Sequence, residues 1–356
     1  MGRTARRADA LLRRRRSRAG LLGARRGRPR SSRHHHVARP AGDARREHRD
    51  RDALAGRGGD HLAGGGGAAR PRGHRPRCDR RDDRTLRGPA ATRPDSPSTS
   101  EGDHVNIRPN RVKQKLAAGK IATILAGTND PDLIDQLGPL DVDGIWLEGE
   151  HGGVDYADLG NLTRACDLWG MTSVVRVMDN DYATIYRTLD RGAQGIVVPH
   201  VNNRAEAEAA VEAAKFAPLG KRGMFTSRQG FGVGDYFKTA NDQSLLIVLI
   251  EDIVAVRNLA EIVKVDAIDV FFVAPNDLAT SMGHIGNMGQ PEVQQTVDGA
   301  LKKIVESGRA AGTLVNTANV ERYTKMGVRV AMTSFFPFIQ AGTKEFMERA
   351  AAGARG

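Results

Sequence analysis

Residues 1–104 contain no Lys, Ile, Phe, Tyr or Trp, although they hold 28 Arg and 12 acidic residues, a net charge of +16. Its few Leu, its single Val and Met1 cannot bury enough surface to offset the entropy that is lost on folding. The absence excludes a globular core there. The composition predicts a low-complexity, disordered, Arg-rich segment that precedes the folded part of the chain.

Three interpretations of residues 1–104 remain open. The first is a basic tail that binds nucleic acid, and the second is a long transit peptide, since such peptides are Arg-rich. The third, which we favour, is a mis-assigned start, because Arg without Lys is what in-frame translation of GC-rich upstream DNA gives. Val105 then corresponds to a GTG start codon, which N-terminal mass spectrometry of the native protein tests.

Cysteines are few, and long apolar runs are missing. The two Cys, Cys78 and Cys166, form no disulfide framework, which fits a reducing cytoplasm. No apolar run reaches membrane-spanning length, so we expect no membrane partner. Residues 105–356 carry 26 of the 54 basic and 30 of the 42 acidic side chains, so the pI near 10.1 reflects the first segment.

Short apolar runs alternate with helical patterns through residues 105–356, which is typical of a parallel sheet with crossover helices. Eight strands are predicted, at residues 121–126, 144–148, 173–177, 195–199, 245–251, 267–273, 312–316 and 328–333. The clearest helices are residues 182–190, 204–215 and 291–307. Eight such units in one continuous domain predict an α/β fold, a TIM (β/α)8 barrel. An open doubly wound sheet is the alternative, but residues 126–129 lack its Gly-rich dinucleotide turn.

The connection between residues 199 and 245 is longer than the others and is rich in Gly at residues 230–234. Long loops on the catalytic face of a barrel often cover substrates. A cover for the active site and an ordinary surface excursion both remain open.

Two carboxylates follow wholly apolar runs, where a charge is costly to bury unless it is paired or bound to a metal. Glu251 follows residues 245–250, and Asp277 comes shortly after residues 270–273. Two carboxylates without His or Cys suit a hard, oxygen-preferring divalent ion, so Mg²⁺ or Mn²⁺ is predicted before Co²⁺ or Zn²⁺. Structural salt bridges are the alternative, as is a helix cap by Asp277 for a helix that begins at Leu278.

Three histidines lie in residues 105–356. His151 lies between Gly149 and Gly152 just after a predicted strand, and histidine is the side chain that most often serves in general acid–base catalysis, so it is the predicted general base. His284 is interpreted as a hydrogen-bonded loop residue. For His200 the same interpretation and a role in the site are both open.

Arg176 lies in an apolar strand and therefore needs an anionic partner. A bidentate grip on a substrate carboxylate is one interpretation, and a buried pair with Glu148 or Glu150 is the other. Asp190 ends the predicted helix 182–190, where a solvated helix-end residue is the simplest interpretation.

An iminium-forming lysine is missing from the places where a barrel aldolase needs one. A Schiff-base aldolase requires a Lys at the carboxyl end of a strand, and none of the 11 Lys of the chain lies at such an end. No Gly-rich phosphate nest follows the last two predicted strands, so a phosphorylated substrate is not favoured.

These residues lie in blocks that resemble the HpcH/HpaI class II pyruvate aldolases, a family that includes 4-hydroxy-2-oxoheptanedioate aldolase. The resemblance extends from about residue 110 to residue 350. Its blocks are Glu-Gly-Glu-His-Gly at 148–152, Val-Arg-Val at 175–177, Leu-Asp-Arg-Gly-Ala-Gln-Gly at 189–195, Val-Pro-His-Val at 198–201, Pro-Leu-Gly-Lys-Arg-Gly at 218–223, Ile-Glu at 250–251 and Ala-Pro-Asn-Asp-Leu-Ala at 274–279.

The resemblance implies specific roles for the polar residues. Glu251 and Asp277 hold the divalent ion, and His151 is the acid/base, supported by Asp190 of a neighbouring subunit. Family members are typically hexamers that exchange their C-terminal helices, so a homohexamer is expected.

The resemblance also implies a substrate site. Arg176 binds the carboxylate and carbonyl end of pyruvate, and Ala274 and Asn276 are the further substrate-binding candidates. The family pattern has Asp at position 148, Gln at 249 and Gly at 274, where this chain has Glu148, Leu249 and Ala274. These departures bear on the donor substrate and the rate more than on the metal chemistry.

The predicted function is a metal-dependent aldolase, a carbon–carbon lyase that cleaves or forms 4-hydroxy-2-oxo acids through a pyruvate enolate. Its partners are a 2-oxo acid and an aldehyde. A citrate-lyase-like enzyme acting on an acyl-CoA is an alternative, and it requires a basic patch on the barrel rim. An alternative of another class, which we do not favour, is a basic nucleic-acid-binding protein with a non-catalytic barrel; it depends on residues 1–104.

Overall fold

A computed structural model describes residues 105–353 of the chain. In this part, eight parallel strands form one closed barrel, in which each strand pairs with the next and the last pairs with the first. The predicted TIM barrel is therefore confirmed. The predictions for residues 1–104 lie outside the described residues, and the limits of the domain stay a prediction.

All eight predicted strands are present, with ends that differ by at most three residues. They are β1 (Ala122–Ala126), β2 (Gly144–Glu148), β3 (Thr172–Arg176), β4 (Gly195–Val198), β5 (Leu245–Ile250), β6 (Val270–Val273), β7 (Ala311–Leu314) and β8 (Val330–Ser334). The helices are α1 (Arg111–Ala117), α2 (Pro131–Leu137), α3 (Tyr156–Leu168), α4 (Tyr182–Asp190), α5 (Arg204–Ala214), α6 (Tyr236–Gln243), α7 (Ile253–Ile262), α8 (Pro275–Ser281), α9 (Pro291–Glu306), α10 (Val320–Met326) and α11 (Phe336–Gly353).

Aspartates that follow the strands start several of the helices. Asp155 accepts a hydrogen bond from the Ala157 main chain at 2.7 Å and begins α3, and Asp252 begins α7 in the same way. Asp181 accepts from the Thr184 main chain at 2.8 Å and begins α4. Each cap satisfies a helix N–H that has no partner within the helix. The chain therefore turns from strand to helix at the carboxyl end of the barrel.

Alternation along β5 explains how the barrel directs its side chains. Leu245, Ile247 and Leu249 belong to the apolar cluster inside the barrel. The alternate residues Leu246, Val248 and Ile250 face the surrounding helices. Because both faces are covered, every residue of this strand is buried. Continuing the alternation by one step places Glu251 on the inner side, at the carboxyl mouth.

Helix α1 closes the opposite, amino end of the barrel. Val112 joins the inner apolar cluster, and the carboxylate of Asp143, which precedes β2, lies between two cations of the helix. Asp143 contacts Arg111 Nε at 2.9 Å and Lys115 Nζ at 2.8 Å, and it accepts from the Thr123 main chain at 2.8 Å. This buried carboxylate is fully paired.

Lys215 is also buried at the amino end, with 2% of its side chain exposed. Its Nζ donates to the Ser244 carbonyl and lies 3.5 Å from Asp269 Oδ2. Burial lowers the pKa of Lys215, although the Asp269 carboxylate opposes the shift. This ammonium group ties a loop to the barrel and does not face the mouth.

The long connection after α5 also lies at the amino end. Arg222 pairs with Asp190 at 2.6 Å, and Gln229 Nε2 donates to the Gly192 carbonyl at 3.0 Å. Helix α6 then leads into the amino end of β5. The connection therefore does not cover the mouth of its own barrel.

The C-terminal helix α11 has no buried residue. Its exposed apolar side chains are Phe336, Phe338, Ile339, Phe346 and Met347. Neither this helix nor any other in residues 105–353 combines the length and apolar character needed to cross a membrane.

Candidate active site

The carboxyl end of the barrel opens into a cavity of about 120 Å³. Apolar side chains of the inner cluster form its floor, and polar side chains stand at its rim. The lining residues are Trp146, Glu148, Arg176, Leu249, Phe272, Ala274, Pro275, Asn276, Asp277, Leu314 and Met332. Four predicted site residues therefore meet at one cavity, namely Arg176, Ala274, Asn276 and Asp277.

Arg176 and Glu148 form an ion pair across neighbouring strands. The register of β2 and β3 places them opposite each other, and Arg176 Nε contacts both oxygens of Glu148 at 2.9 and 2.8 Å. Trp146 Nε1 and the main-chain N–H groups of Glu150 and His151 also donate to this carboxylate. Burial opposes its ionisation, but the His151 N–H and the Arg176 guanidinium outweigh burial and hold the pKa of Glu148 below its usual range.

The glycines of the Glu-Gly-Glu-His-Gly block allow two close backbone approaches. Gly149 donates to the Arg176 carbonyl at 3.0 Å, and a Cβ on Gly149 would lie 2.6 Å from that oxygen. A Cβ on Gly152 would lie 2.5 Å from the Glu148 carbonyl oxygen. The tight loop presents His151 to the exterior, with 68% of its side chain exposed and Nε2 4.0 Å from Glu150 Oε1. This imidazole is open to a bound molecule.

Glu251 lies beneath the rim with 3% of its surface exposed. Its Oε1 accepts a hydrogen bond from the His200 main chain at 2.7 Å and lies 3.2 Å from His200 Nδ1. Burial raises the pKa of Glu251 despite His200, and the charges of Asp277 and Glu150 raise it further. Like charges therefore converge on this carboxylate.

Asp277 is the third residue of α8, which begins at Pro275 and not at Leu278. The alternative that Asp277 caps the helix is wrong, because the cap position belongs to Ala274. Among the described residues, the half-buried Asp277 side chain forms no hydrogen bond and no ion pair. It is available to a ligand at the cavity rim.

The mouth has more negative than positive side chains. Glu148 and Glu150 pair with the guanidinium of Arg176, and Glu150 also contacts the His200 ring. Among the described residues, Glu251 has the His200 ring as its only ion-pair partner, and Asp277 has none. A divalent cation fits this donor set, because carboxylate oxygens suit hard ions and the ion relieves the repulsion. Within residues 105–353, no three His, Cys, Asp or Glu side chains form a complete metal cage.

One predicted site residue lies away from the mouth, and two residues outside the predicted set lie at it. Asp190 lies at the amino end, paired with Arg222, so it does not reach the site of its own chain. Conversely, His200 and Glu150 lie in the site, with His200 Nε2 3.3 Å from Glu150 Oε1. Two sequence signals indicate the place of His200, its position directly after a strand end and the Val-Pro-His-Val block at 198–201.

The chain is similar in sequence to known proteins. The family described as HpcH/HpaI aldolase/citrate lyase matches residues 123–335, more than half of the chain. The chain belongs to the HpcH/HpaI aldolase/citrate lyase family. One similar family member is the hydroxypyruvate/pyruvate aldolase of Pseudomonas aeruginosa, 34% identical over 224 residues, which are 61% of this chain and 84% of that protein.

One further relative and one solved structure are also similar to this chain. The 5-keto-4-deoxy-D-glucarate aldolase of Salmonella arizonae is 34% identical over 248 residues, 68% of this chain and 97% of that protein. A solved structure of a family protein from Burkholderia cenocepacia has a TM-score of 0.64 and 27% identity, covering 68% of this chain and 99% of the other. The predicted enzyme class, an aldolase of the carbon–carbon lyases, is confirmed.

Proposed function

We propose that this HpcH/HpaI family member cleaves or forms 4-hydroxy-2-oxo acids through the enolate of pyruvate, with the help of a divalent metal ion. The observation that carries this proposal is the charge arrangement at the mouth. The Arg176 guanidinium faces the same cavity as Asp277. Glu251 lies close enough to Asp277 for the charges of the two carboxylates to interact. The relatives named hydroxypyruvate/pyruvate aldolase and 5-keto-4-deoxy-D-glucarate aldolase support a 2-oxo acid as substrate.

Glu251 and Asp277 are the proposed metal ligands. Their oxygen donors favour Mg²⁺ or Mn²⁺, with Co²⁺ or Zn²⁺ as less favoured ions. A bound divalent ion supplies Lewis-acid stabilisation of negative charge on the oxo acid. The support for a cation here is that Glu251, Asp277 and Glu150 lie close enough for their negative charges to repel one another.

Arg176 is the proposed anchor for the substrate carboxylate. Its Nε and Nη1 face Glu148 and Glu150, which orients the guanidinium and leaves Nη2 for the substrate. Ala274 and Asn276 line the same cavity and are the further proposed substrate contacts.

His151 is the proposed acid/base. In cleavage, its imidazole takes the proton of the C4 hydroxyl, directly or through water, while the C3–C4 bond breaks. The C4 carbon leaves as an aldehyde, and the C3 carbon becomes the enolate of pyruvate, which then takes a proton. Synthesis follows the reverse order. The exposed position of His151 allows this contact with a substrate.

A homohexamer with exchanged C-terminal helices is part of the proposal. The exposed apolar side chains of α11 support it, because an apolar surface of this kind normally faces a partner. In such an assembly, Asp190 of one subunit supports His151 of another. Sedimentation velocity tests this; a monomer at micromolar concentration contradicts it.

The reducing cytoplasm remains the proposed location, supported by the free thiol of the buried Cys166. The acyl-CoA alternative is less well supported, because the rim of the cavity carries carboxylates where CoA phosphates would need cations. The nucleic-acid alternative depends on residues outside the described part of the chain.

The decisive experiment is a pyruvate-release assay of the full-length chain on a panel of 4-hydroxy-2-oxo acids. We expect turnover that chelation abolishes and that Mn²⁺ or Mg²⁺ restores. His151→Ala should lower turnover by about 10²–10⁴-fold, the usual contribution of a general base, without loss of metal binding. Turnover that persists after thorough chelation would reject the metal, and unchanged turnover in His151→Ala would reject its role.

A further inference from the structure

His200 has an unusual backbone conformation at the end of β4. Its φ is +55°, in the left-handed region that few residues other than Gly adopt, although His is among the more tolerant. Conformations of this kind persist where the surroundings hold them, and they concentrate at functional sites. Here the conformation aims the main-chain N–H of His200 at Glu251 Oε1, at 2.7 Å.

The His200 ring lies between two carboxylates, one just after β2 and the other just after β5. Nδ1 is 3.2 Å from Glu251 Oε1, and Nε2 is 3.3 Å from Glu150 Oε1. The ring therefore contacts the proposed metal ligand with one nitrogen and the residue beside the substrate anchor with the other. Each nitrogen has one carboxylate to face.

Glu150 connects this ring to Arg176. Its Oε2 is buried, forms no hydrogen bond among the described residues and lies 2.9 Å from Arg176 Nη1 as an ion pair. Arg176, Glu150, His200 and Glu251 thus form a continuous row of contacts around the mouth. The row joins the guanidinium proposed for the substrate to the carboxylate proposed for the metal.

We propose that His200 is a positioning residue that holds Glu251 and Glu150 in fixed relation, so that metal and substrate anchor face one bound oxo acid. The inference rests on the proposed function, because it takes Glu251 as a metal ligand. Replacing a residue that contacts and orients a metal ligand typically weakens metal affinity by about 10–100-fold. A loop histidine with only a structural role has no such effect.

The test measures Mn²⁺ affinity of the full-length chain by the electron paramagnetic resonance of free Mn²⁺. His200→Gly keeps the main-chain N–H and tolerates the left-handed backbone, so it removes only the ring. We expect Mn²⁺ binding weaker by about 10–100-fold. His284→Ala is the matched control, since His284 is also a loop histidine beside a glutamate, 3.5 Å from Glu292, and its affinity should not change.

A double-variant cycle separates positioning from general damage. Glu150→Gln and the double variant with His200→Gly are measured beside the single variants. If the ring acts through this row, the two losses of affinity are not additive, and the thermal unfolding temperature does not account for them. His200→Asn, which also tolerates the left-handed conformation, takes the place of His200→Gly if that variant does not fold.

The outcomes distinguish the inference from the proposed function. Equal Mn²⁺ affinity in wild type and in the folded His200 variant overturns the role of His200 and leaves the metal site standing. Losses that are simply additive also overturn the connected row. Failure of the wild-type chain to bind Mn²⁺ at all overturns the proposed function and this inference together.

Discussion

The two ends of the barrel treat buried charge differently. At the amino end, the three aspartates Asp143, Asp167 and Asp269 each contact Arg or Lys side chains, and each also accepts hydrogen bonds from neighbouring groups. At the carboxyl end, Arg176 pairs with Glu148 and Glu150, and the His200 imidazole contacts Glu150 and Glu251. The fourth carboxylate, Asp277, has no ion pair among the described residues. Each of these aspartates at the amino end has a cationic partner, whereas the carboxylates at the carboxyl end outnumber their cationic partners.

We infer from this difference that the carboxylates at the amino end stabilise the fold, whereas those at the carboxyl end bind a ligand. A buried carboxylate with its full set of partners stabilises the folded chain only while those partners remain. Carboxylates that repel each other destabilise the folded chain until a cation arrives, a cost that functional sites commonly carry.

Asp143→Asn should show how much the amino end depends on its ion pairs. The variant leaves the cations Arg111 and Lys115 without their buried carboxylate, so we expect a loss of about 3–5 kcal/mol in the free energy of unfolding. Urea denaturation measures it. Asp141→Asn is the matched control, because the exposed Asp141 pairs with the same Arg111 and should contribute nothing measurable. Equal effects of the two variants would break the comparison.

Arg176→Lys should affect the carboxyl end in function more than in stability. Lysine cannot keep the contacts with Glu148 and Glu150 and also grip a carboxylate, so KM for the oxo acid should rise by about 10–100-fold. Steady-state kinetics measures this change. Arg204→Lys, at an exposed pair with Glu208, should leave KM unchanged. An unchanged KM in Arg176→Lys would contradict the proposed anchor.

Glu148→Gln should have the smallest effect, which is a change in how stability falls at acid pH. The pKa of Glu148 lies below its ordinary 4.5 in the folded chain, so its ionised form adds stability above that pH. This stability is lost as the pH falls through the lowered pKa. Between about pH 5 and 3, the free energy of unfolding of wild type should therefore fall by up to about 1 kcal/mol more than that of Glu148→Gln, with a correspondingly steeper fall in unfolding temperature. Parallel thermal melts that keep the same separation at every pH would contradict this.

Much of the fold and part of the site can be predicted from the sequence because they follow from local pattern. Each apolar run of the barrel is bounded by polar residues, and the alternation of two along β5 continues to Glu251. The same alternation places Arg176 in line with Glu148 across β2 and β3. These positions depend on neighbours that are adjacent in the sequence or in the strand register.

The rest depends on geometry that the pattern does not encode. The role of His200 depends on a positive φ, which no residue type other than Gly indicates from sequence. The start of α8 at Pro275 changes Asp277 from a cap to a first-turn residue. The long connection follows α5 to the amino end, so its Gly-rich stretch does not cover the mouth of its own chain.

Thermal unfolding of the metal-free wild type and of Glu251→Gln, each with and without Mn²⁺, tests the shortage of positive charge most directly. Glutamine can still accept the His200 N–H, so the variant removes charge and little else. The account predicts that metal-free Glu251→Gln unfolds at the same or a higher temperature than metal-free wild type, and that Mn²⁺ raises only the wild-type temperature. A less stable metal-free variant, or one that Mn²⁺ stabilises as much as wild type, would contradict the account.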